Sequence, residues 1–315
     1  MQKHNKPILV TGSTGFIGSQ IIRELIKKNN NVHILIRKSS NIWRIKDLIN
    51  QVKYYEVDIT DKTKLIKTVS KIKPEKIFHL STYGAYSHQS EVNKIRLNIL
   101  DATTNLLEAC LCNDFKMFIN TGSNSEYGFS KQRMNEENLL KPNSYYGIFK
   151  ATTTMICQKL AMEKNKPIVT VRPFHVYGPY EEKIRLIPVL INFLLNNKCP
   201  PLVSPKISRD MIYIDDVVDF YLNLSNANNV NGEVFNLGSG KSYTIEMIFN
   251  KIKKITKSDV KPNWSTMKNR SWDQEIWISD MKKSKKFLNF KNKFSLDNGL
   301  KETIKWIKKN QNLYN

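Results

Sequence analysis

The fold class follows from Ile8-Leu-Val-Thr-Gly-Ser-Thr-Gly-Phe-Ile-Gly18, an apolar strand that runs into a glycine-rich turn and then directly into a helix pattern. Gly12 permits the tight turn, Gly15 lets the backbone approach a pyrophosphate, and Gly18 lets the helix pack closely against the strand. The helix N-terminus adds amide donors and the positive end of its dipole. In this order the three elements predict a dinucleotide-binding site, with an incidental glycine-rich turn as the alternative.

Apolar runs alternate with amphipathic segments over the first 173 residues. The strand patterns are 6–11, 32–37, 52–57, 76–80, 115–120 and 167–172, and the helix patterns are 16–28, 63–72, 95–112 and 146–164. The strands are almost wholly apolar, which is typical of a sheet with helices on both faces. We therefore predict an α/β fold with a doubly wound parallel sheet, a Rossmann domain, over residues 1–173.

The pattern changes after Pro173 to loops, short strands and separated helices. The later helix patterns are 186–196, 215–224, 244–255 and 295–309. They predict a smaller region over residues 174–315 that binds the substrate, with the option that the chain crosses back into the first sheet.

Composition excludes several classes of protein. The 315 residues are 40% hydrophobic and 25% charged, with only 12 Gly and 11 Pro, which indicates a globular chain. No apolar run reaches the roughly 20 residues of a bilayer span, and no apolar leader precedes the first strand, so we expect a cytoplasmic protein with no membrane contact.

The net charge of +22 makes nucleic-acid binding a rival function. Only nine of the 50 basic residues are Arg, and the lysines are spread along helix patterns. This distribution favours solvated faces over a nucleic-acid surface.

The four cysteines predict neither a disulfide framework nor a metal site. Cys110, Cys112, Cys157 and Cys199 are too sparse for the former and lack the spacing of zinc ligands. We interpret them as buried or neutral thiols and expect no metal.

The end of the second predicted strand distinguishes between two nicotinamide cofactors. An NAD-specific site places an acid there for the ribose 2′-hydroxyl. This chain has Arg37-Lys38-Ser39-Ser40 instead. Because a guanidinium supported by an ammonium suits a 2′-phosphate, the segment favours NADP(H). NAD(H) is the alternative, in which Arg37 is an ordinary solvated side chain.

Tyr146 and Lys150 are four residues apart in a helix pattern and therefore share one face of it. An ammonium beside a phenol lowers the phenol pKa and makes it a competent acid/base. The pair follows the fifth strand, whose carboxyl end continues into Asn120-Thr-Gly-Ser-Asn-Ser-Glu-Tyr-Gly128. Ligands of such sheets bind at the carboxyl ends of the strands, so these segments predict an active site.

Taken together, these motifs resemble the extended short-chain dehydrogenase/reductases that act on nucleotide-sugars. The resemblance covers nearly the whole chain and rests on Thr11 to Gly18, Asp58, His79-Leu-Ser81, Asn98, Ser123, Tyr146 with Lys150, Arg172-Pro173, Val176-Tyr-Gly-Pro179, Ser208 to Asp216 and Gly232 to Gly238. It implies that Ser123 hydrogen-bonds the reacting carbonyl and that Tyr146 is the acid/base. Lys150 would tune Tyr146 and hold the nicotinamide ribose.

The resemblance also implies cofactor contacts at the predicted strand ends. Together with Arg37 and Lys38, the predicted cofactor-binding residues are Gly12, Thr14, Gly15, Phe16, Ile17, Gly18, Asp58, Ile59, Leu80, Ser81, Thr82, Asn98, Tyr146, Lys150 and Pro173.

The substrate is expected to be a nucleotide-diphosphate sugar. The predicted substrate-binding residues are Tyr83, Asn124, Ser125, His175, Arg185, Arg209 and Arg270. Arg209 resembles the arginine that grips the phosphates, with an ion pair to Asp210 as the alternative. His175 stands where many members have Asn, and it fits a phosphate contact and a packed neutral imidazole equally well. The family's second phosphate-binding arginine is missing from its expected place, so Arg185 or Arg270 would substitute.

The two residues that follow Ser123 differ from those of one group of family enzymes, and this difference bears on the type of reaction. Sugar 4,6-dehydratases carry an Asp-Glu pair directly after the catalytic hydroxyl, whereas this chain has Asn124-Ser125, which argues against dehydration. Four features together look most like the branch of CDP-abequose and CDP-paratose synthases, which serves deoxysugar biosynthesis for the lipopolysaccharide O-antigen. They are Tyr83 to His88, Gly122 to Tyr127, Pro179-Tyr-Glu181 with Arg185 to Pro188, and Arg270 to Asp273.

We therefore predict NADPH-dependent reduction of the C4 ketone of a nucleotide-linked 4-keto-deoxyhexose. A nucleotide-sugar 4-epimerase with bound NAD(P) is the alternative. Apolar positions on helices 98–112 and 146–161 exceed those needed to cover a sheet, and relatives pair through a four-helix contact, so we also predict a homodimer.

Overall fold

The computed structural model describes residues 6–130, 132–267 and 276–314 of the chain. Its strands are β1 (Ile8–Thr11), β2 (Val32–Ile36), β3 (Lys53–Glu56), β4 (Lys76–His79), β5 (Met117–Thr121), β6 (Ile168–Pro173), β7 (His175–Tyr177), β8 (Ser208–Arg209), β9 (Met211–Tyr213), β10 (Val234–Leu237) and β11 (Tyr243–Thr244). Seven of them form one sheet, in the order β10-β6-β5-β4-β1-β2-β3. Neighbours from β3 to β6 pair in parallel. The predicted doubly wound parallel sheet is confirmed.

The helices connect the strands as crossovers and then dominate the last third of the chain. They are α1 (Phe16–Lys27), α2 (Lys62–Ile72), α3 (Val92–Arg96), α4 (Ala102–Leu111), α5 (Tyr145–Lys164), α6 (Leu186–Leu195), α7 (Ile214–Leu224), α8 (Ile245–Thr256), α9 (Lys282–Leu288) and α10 (Leu296–Lys309). In the described ranges, no helix is long and apolar enough to cross a membrane.

The chain divides into two compact units. The first consists of Met1–Gly128, Leu139–Pro173 and Val218–Phe235. The second consists of Phe129–Asn138, Phe174–Val217 and Asn236–Asn315. The chain therefore leaves the first unit near residue 173 and returns to it for residues 218–235.

The core of the first unit lies between the sheet and its covering helices. Leu9, Ile77 and Phe118 on the strands pack with Leu65 on α2 and Leu106 on α4, and all five are fully buried. Each such side chain contributes about 1.5 to 3 kcal/mol to the free energy of unfolding. This packing holds the strands rigidly, so the loops at their carboxyl ends have fixed starting points.

The long helix predicted over residues 95–112 is present, but its geometry changes along its length. A wider π turn over Leu97–Asp101 separates α3 from α4. At the start of α4, the Thr103 hydroxyl donates to the carbonyl of Ile99 in this turn at 2.5 Å and also bonds His79 Nε2 at 3.0 Å. A hydroxyl that bonds a preceding carbonyl perturbs the regular helix ladder, and hydrophobic periodicity does not reveal one extra residue in a turn.

The second unit contains two small sheets and a group of helices. Strands β7 and β9 pair in parallel, and β8 pairs with β11 in the antiparallel sense. Buried residues of α6, α8 and α10 face one another, including Leu190, Phe249 and Ile304. The sequence did not predict α9, because its Lys282-Lys-Ser-Lys-Lys286 start carries no apolar pattern.

Candidate active site

The glycine-rich turn lies directly against the carboxyl end of β4. Gly12 has φ +69°, and a Cβ there would lie 2.5 Å from the carbonyl carbon of Leu80 and the nitrogen of Ser81. A Cβ on Gly18 would overlap the carbonyl oxygen of Gly12. Gly15 is the N-cap of α1 and gives the first helical amides no side-chain partner. A tight cradle without side chains beneath a helix N-terminus fits a dinucleotide pyrophosphate.

The segment after β2 presents the predicted basic residues at the surface. Arg37 and Lys38 are exposed. Their turn is closed by two hydrogen bonds, from the Arg37 amide to Ser40 Oγ and from the Ser40 amide to the Arg37 carbonyl, both 2.9 Å. The backbone is therefore held while the Arg37 guanidinium faces solvent.

Arg44 is a further cation next to the glycine-rich turn, which we also call the phosphate turn. The sequence alone did not indicate it. Its side chain is buried, its Nη1 donates to the Thr14 carbonyl at 3.4 Å, and its guanidinium lies 4.3 Å from the centroid of the Trp43 ring. Arg23 donates to the Arg44 carbonyl at 2.6 Å. No motif marks this position, because the contact depends on how the segment after β2 folds back.

The other predicted cofactor residues follow the strand ends. Asp58 comes just after β3, and its Oδ1 accepts bonds from the amide and hydroxyl of Thr60 at 3.0 and 2.8 Å. Ile59 is buried in the core beside it. Leu80, Ser81 and Thr82 directly follow β4, and Pro173 ends β6. Asn98 lies in the π turn, where its side chain donates to the Lys94 carbonyl at 2.9 Å.

Ser123 is held in a short turn immediately after β5. It caps the 3₁₀ turn Asn124–Glu126, with its Oγ accepting from the Ser125 amide at 3.1 Å. Its side chain also lies 3.4 Å from Asn124 Oδ1. The predicted substrate residues Asn124 and Ser125 therefore adjoin the predicted catalytic hydroxyl.

Tyr146 and Lys150 occupy the first turns of α5, which begins after the cap residue Ser144. Between them, Gly147 brings the helix against the Ser123 turn, since a Cβ there would lie 2.5 Å from the Ser125 carbonyl oxygen. The glycine thus explains how the start of α5 approaches the end of β5. The segments that carry Ser123, Tyr146 and Lys150 are packed together.

Lys150 is buried and lies beside Tyr146. Its Nζ donates to the Thr121 carbonyl at 2.7 Å and lies 5.9 Å from the centroid of the Tyr146 ring. Burial lowers the pKa of Lys150 to about 8, and the Glu126 carboxylate opposes part of that change. Lys150 is therefore largely protonated at pH 7. A buried cation at this place stabilises negative charge on the neighbouring phenol.

His79 is excluded from the chemistry despite its position at a strand end. It is buried between the hydroxyls of Thr11 and Thr103, at 2.7 and 3.0 Å. Burial lowers its pKa to about 3. His79 is thus a neutral imidazole that ties β4 to β1 and to α4.

In the second unit, three predicted substrate residues come together on and near β7. Burial and the positive charges of Arg209 and Arg185 hold the pKa of His175 well below its usual value. Its ring meets Trp277 edge-on, with centroids 6.0 Å apart. His175 Nδ1 is buried and has no hydrogen-bond partner among the described residues. A neutral imidazole that is influenced by two guanidinium groups suits an anionic ligand.

Asp210, next to Arg209, has its carboxylate turned inward. It is fully buried and accepts bonds from the hydroxyls of Ser239 and Ser279 at 2.7 and 2.6 Å and from their amides. Arg209 Nη1 donates to the Ser208 carbonyl at 2.8 Å. The alternative of a simple Arg209–Asp210 ion pair therefore receives no support from the Asp210 contacts.

Two predicted substrate residues remain. Tyr83 is partly buried, with Lys94 Nζ 5.2 Å from its ring centroid. Arg270 lies outside the described residues. In the part of the chain that the structure describes, no group of three or more His, Cys, Asp or Glu side chains could hold a metal ion.

Comparison with known proteins assigns the family. The model of the NAD dependent epimerase/dehydratase family matches residues 8–238, from β1 to just past β10. The chain belongs to this family. It is thus an enzyme of the extended short-chain dehydrogenase/reductase type, as the resemblance implied, and the family it belongs to is NAD-dependent.

Proteins with different activities are similar in sequence to this chain. It is 28% identical to CDP-abequose synthase of Salmonella muenchen over 312 residues, which are 95% of this chain and 97% of that protein. It is 30% identical to dTDP-D-glucose 4,6-dehydratase of Dictyostelium discoideum over 253 residues, which are 74% of this chain but 58% of that protein.

Solved structures of epimerase/dehydratase family members have the same fold. UDP-glucose 4-epimerase of Thermotoga maritima, solved with UDP-glucose, superimposes with a TM-score of 0.89 at 28% identity and covers 97% of this chain and 99% of its own. UDP-glucuronic acid 4-epimerase of Bacillus cereus, solved with UDP-glucuronic acid and NAD, gives 0.85 at 26% identity and covers 96% and 99%.

Proposed function

We propose that this protein is a cytoplasmic, NADPH-dependent reductase of the C4 ketone of a nucleotide-linked 4-keto-deoxyhexose. Two features of the sequence carry the proposal. The residues Ser123, Tyr146 and Lys150 are all present, and Ser123 is followed by Asn124 and Ser125 rather than by two acids. The similarity to CDP-abequose synthase along nearly the whole chain supports it.

The proposed chemistry is proton transfer and charge stabilisation by the first unit. When bound, the reduced nicotinamide supplies the hydride. Tyr146 donates its phenolic proton to the oxygen at C4, and the Ser123 hydroxyl hydrogen-bonds that oxygen as negative charge develops on it. The ammonium of Lys150 stabilises the phenolate that Tyr146 leaves behind.

Dehydration is disfavoured by the residues that follow Ser123. Asn124 and Ser125 supply neither a carboxylic acid to protonate a leaving hydroxyl nor a carboxylate to remove a C5 proton. The next acid, Glu126, is fully buried and bonded to Arg172 at 2.8 Å, so it is unavailable for that role.

The substrate's phosphates are assigned to the second unit. His175, Arg185 and Arg209 supply two positive charges and an unpartnered imidazole nitrogen, a set that suits a diphosphate.

A 4-epimerase is the second candidate. It is supported by the two 4-epimerase structures that resemble this chain along almost its full length. When bound, the oxidised nicotinamide would accept the hydride from C4 while Tyr146 takes the hydroxyl proton, and the hydride would then return to the other face of the ketone.

Redox balance separates the two candidates. The purified protein is incubated with NADPH and a panel of CDP-, dTDP-, GDP- and UDP-4-keto-6-deoxysugars, and the nicotinamide absorbance and the products are followed. A reductase consumes one NADPH for each product molecule. Interconversion of 4-hydroxyl epimers of an unoxidised nucleotide-sugar without net NADPH consumption would instead assign the epimerase.

Cofactor preference is predicted to depend on Arg37. If its exposed guanidinium meets a 2′-phosphate, the contact is worth about 1.5 to 3 kcal/mol. Arg37→Asp should then lower NADPH affinity roughly 10- to 150-fold and reverse the preference toward NADH. Fluorescence titration with both cofactors measures this ratio.

Lys46→Asp is the matched control, because it inverts the charge of another exposed residue in the same connection between β2 and β3. This variant should leave the ratio of the affinities for NADPH and NADH unchanged. Equal affinity of the wild type for the two cofactors would refute the NADP(H) assignment.

A homodimer is proposed from one apolar face of α5. Ile148, Met155 and Met162 are exposed and recur every seven residues, so they line one side of the helix. Met155 also borders a groove between α4 and α5, together with Thr104 and Leu160. Exposed apolar residues grouped in this way are typical of a protein interface.

Met155→Glu should convert a dimer of twice 36.7 kDa into a monomer, because it would bury two charges at the proposed contact. Sedimentation at micromolar concentration measures the mass. Met247→Glu, at a similarly exposed methionine on α8, should stay dimeric. A wild type that sediments only at 36.7 kDa would contradict the proposal.

A further inference from the structure

The Glu126 carboxylate is completely buried directly beneath the Ser123 turn. Its Oε1 accepts the Ser123 backbone amide at 2.8 Å, and its Oε2 accepts Arg172 Nε at 2.8 Å. A buried carboxylate is costly unless it is both paired and hydrogen-bonded. Here each oxygen has a partner, and one of them is the backbone of the predicted catalytic serine.

The chain makes room for this carboxylate at Gly122. A Cβ on Gly122 would overlap Glu126 Oε1, so the acid fills the space that a side chain before Ser123 would occupy. Ser123 is therefore held from both sides, by the carboxylate on its amide and by the Ser125 amide on its Oγ.

Arg172 ties this arrangement to the neighbouring strand. It is buried on β6, its Nη1 donates to Tyr127 Oη at 3.0 Å, and its guanidinium lies 4.8 Å from the Tyr127 ring centroid. Since β6 pairs with β5 in parallel, the ion pair connects the Ser123 turn to two strands of the sheet.

Glu126 also lies close to Lys150, because its carboxylate packs against Gly122 and the Lys150 ammonium donates to the carbonyl of Thr121, one residue earlier. Its carboxylate raises the pKa of Lys150 against the lowering caused by burial. The other titratable groups that face Lys150 are Tyr146, His79 and Cys157. Burial keeps His79 neutral, and it raises the pKa of Cys157 to about 12. Glu126 is thus the anion that faces Lys150 among the described residues.

We propose that Glu126 is a positioning residue that orients the Ser123 hydroxyl through the Ser123 amide and supports the ammonium of Lys150 with its charge. The inference rests on the proposed function only in its use of Ser123, Tyr146 and Lys150, which reductase and epimerase share. Neither the motifs nor the comparisons assign Glu126 a role.

Two substitutions separate position from charge. Glu126→Asp keeps the charge but withdraws the carboxylate by one methylene, so kcat should fall at least about tenfold while KM changes less than twofold. Glu126→Gln keeps the length and an acceptor oxygen but removes the charge. Lys150 then loses its proton at lower pH, so the basic limb of the pH profile of kcat/KM should move to lower pH. In Glu126→Asp, the basic limb of the pH profile should stay at the pH of the wild type.

A double-mutant cycle distinguishes positioning from a merely structural role. In a Ser123→Ala background, Glu126→Asp should lower kcat less than twofold further, because the hydroxyl it positions is gone. An equal loss in both backgrounds would overturn the proposal. Asp114→Asn is the control, because it removes a carboxylate from an exposed ion pair with Lys166 and should change neither kcat nor the pH profile.

Misfolding and failure of the proposed reaction are tested separately. If Glu126→Gln does not fold, the double variant Glu126→Gln/Arg172→Gln removes both charges together and should show the same shift of the limb. If the wild type reduces no 4-keto sugar, the ketoreductase assignment fails, but Glu126 remains testable by hydrogen exchange. In Glu126→Asp, amides of residues 120–127 should exchange at least about tenfold faster than in the wild type. Unchanged exchange in that segment would overturn the proposal without any turnover measurement.

Discussion

Replacing Tyr146 with phenylalanine should lower kcat about a thousandfold or more, because it deletes the proton that the proposed reaction transfers. The ring would keep its place above Lys150 Nζ, so the loss would reflect the hydroxyl alone. Cofactor affinity should change less than about threefold, since the variant keeps the phosphate turn and Lys150. Steady-state kinetics with the active 4-keto sugar and a fluorescence titration with NADPH measure both quantities.

Tyr145→Phe is the matched control, one residue earlier on the same helix. Tyr145 is exposed, so its hydroxyl should be dispensable and kcat should stay within about twofold of the wild type. Comparable activity in both variants would remove Tyr146 from the mechanism, whichever of the two reactions the enzyme catalyses.

Gly12→Ala should nearly abolish cofactor binding. Its φ of +69° disfavours any side chain, and the new Cβ would lie 2.5 Å from backbone atoms of Leu80 and Ser81. The backbone must move to relieve this clash, so the cradle for the pyrophosphate is lost and NADPH affinity should fall by at least about a hundredfold. Calorimetric titration and thermal melting should be measured together, so that loss of binding is separated from loss of folding.

Gly240→Ala controls for the backbone conformation. Gly240 has a nearly identical φ of +70°, but a Cβ there would meet its nearest neighbours only at 3.7 Å. The variant should lose about 1 kcal/mol of stability and keep wild-type affinity for NADPH. If the two variants bound the cofactor equally well, the close approach at Gly12 would have no role in the site.

The sheet and most helices could be predicted from the sequence, because buried parallel strands and amphipathic helices have different periods. The strands around the phosphate turn and the helix that carries Tyr146 were predicted within a few residues of their observed bounds. The π turn over Leu97–Asp101 was not, because it depends on side-chain hydrogen bonds such as that of Thr103. Helix α9 was not predicted either, because it consists mostly of lysines and the residue that it buries is Ser284 rather than an apolar one.

The candidate site was predictable where its residues are neighbours in the sequence. Tyr146 and Lys150 are one helical turn apart, whereas Glu126 and Arg172 are separated by 46 positions and meet only because β5 and β6 are adjacent. Arg44 reaches Thr14 across 30 positions for a similar reason. Such contacts leave no local pattern, although the glycine directly before Ser123 is an indirect sign that another group needs the space.

The overlap between a side chain at position 122 and the Glu126 carboxylate constrains how this enzyme can diverge. A side chain at position 122 would displace Glu126 Oε1 from the Ser123 amide, and loss of Glu126 would leave Arg172 with a buried charge and no carboxylate partner. We therefore expect glycine at position 122 in related sequences that have glutamate at position 126. Among homologues, glycine before the proposed catalytic hydroxyl and glutamate three residues after it should be inherited together, and this pair would mark the lineage that shares the buried acid.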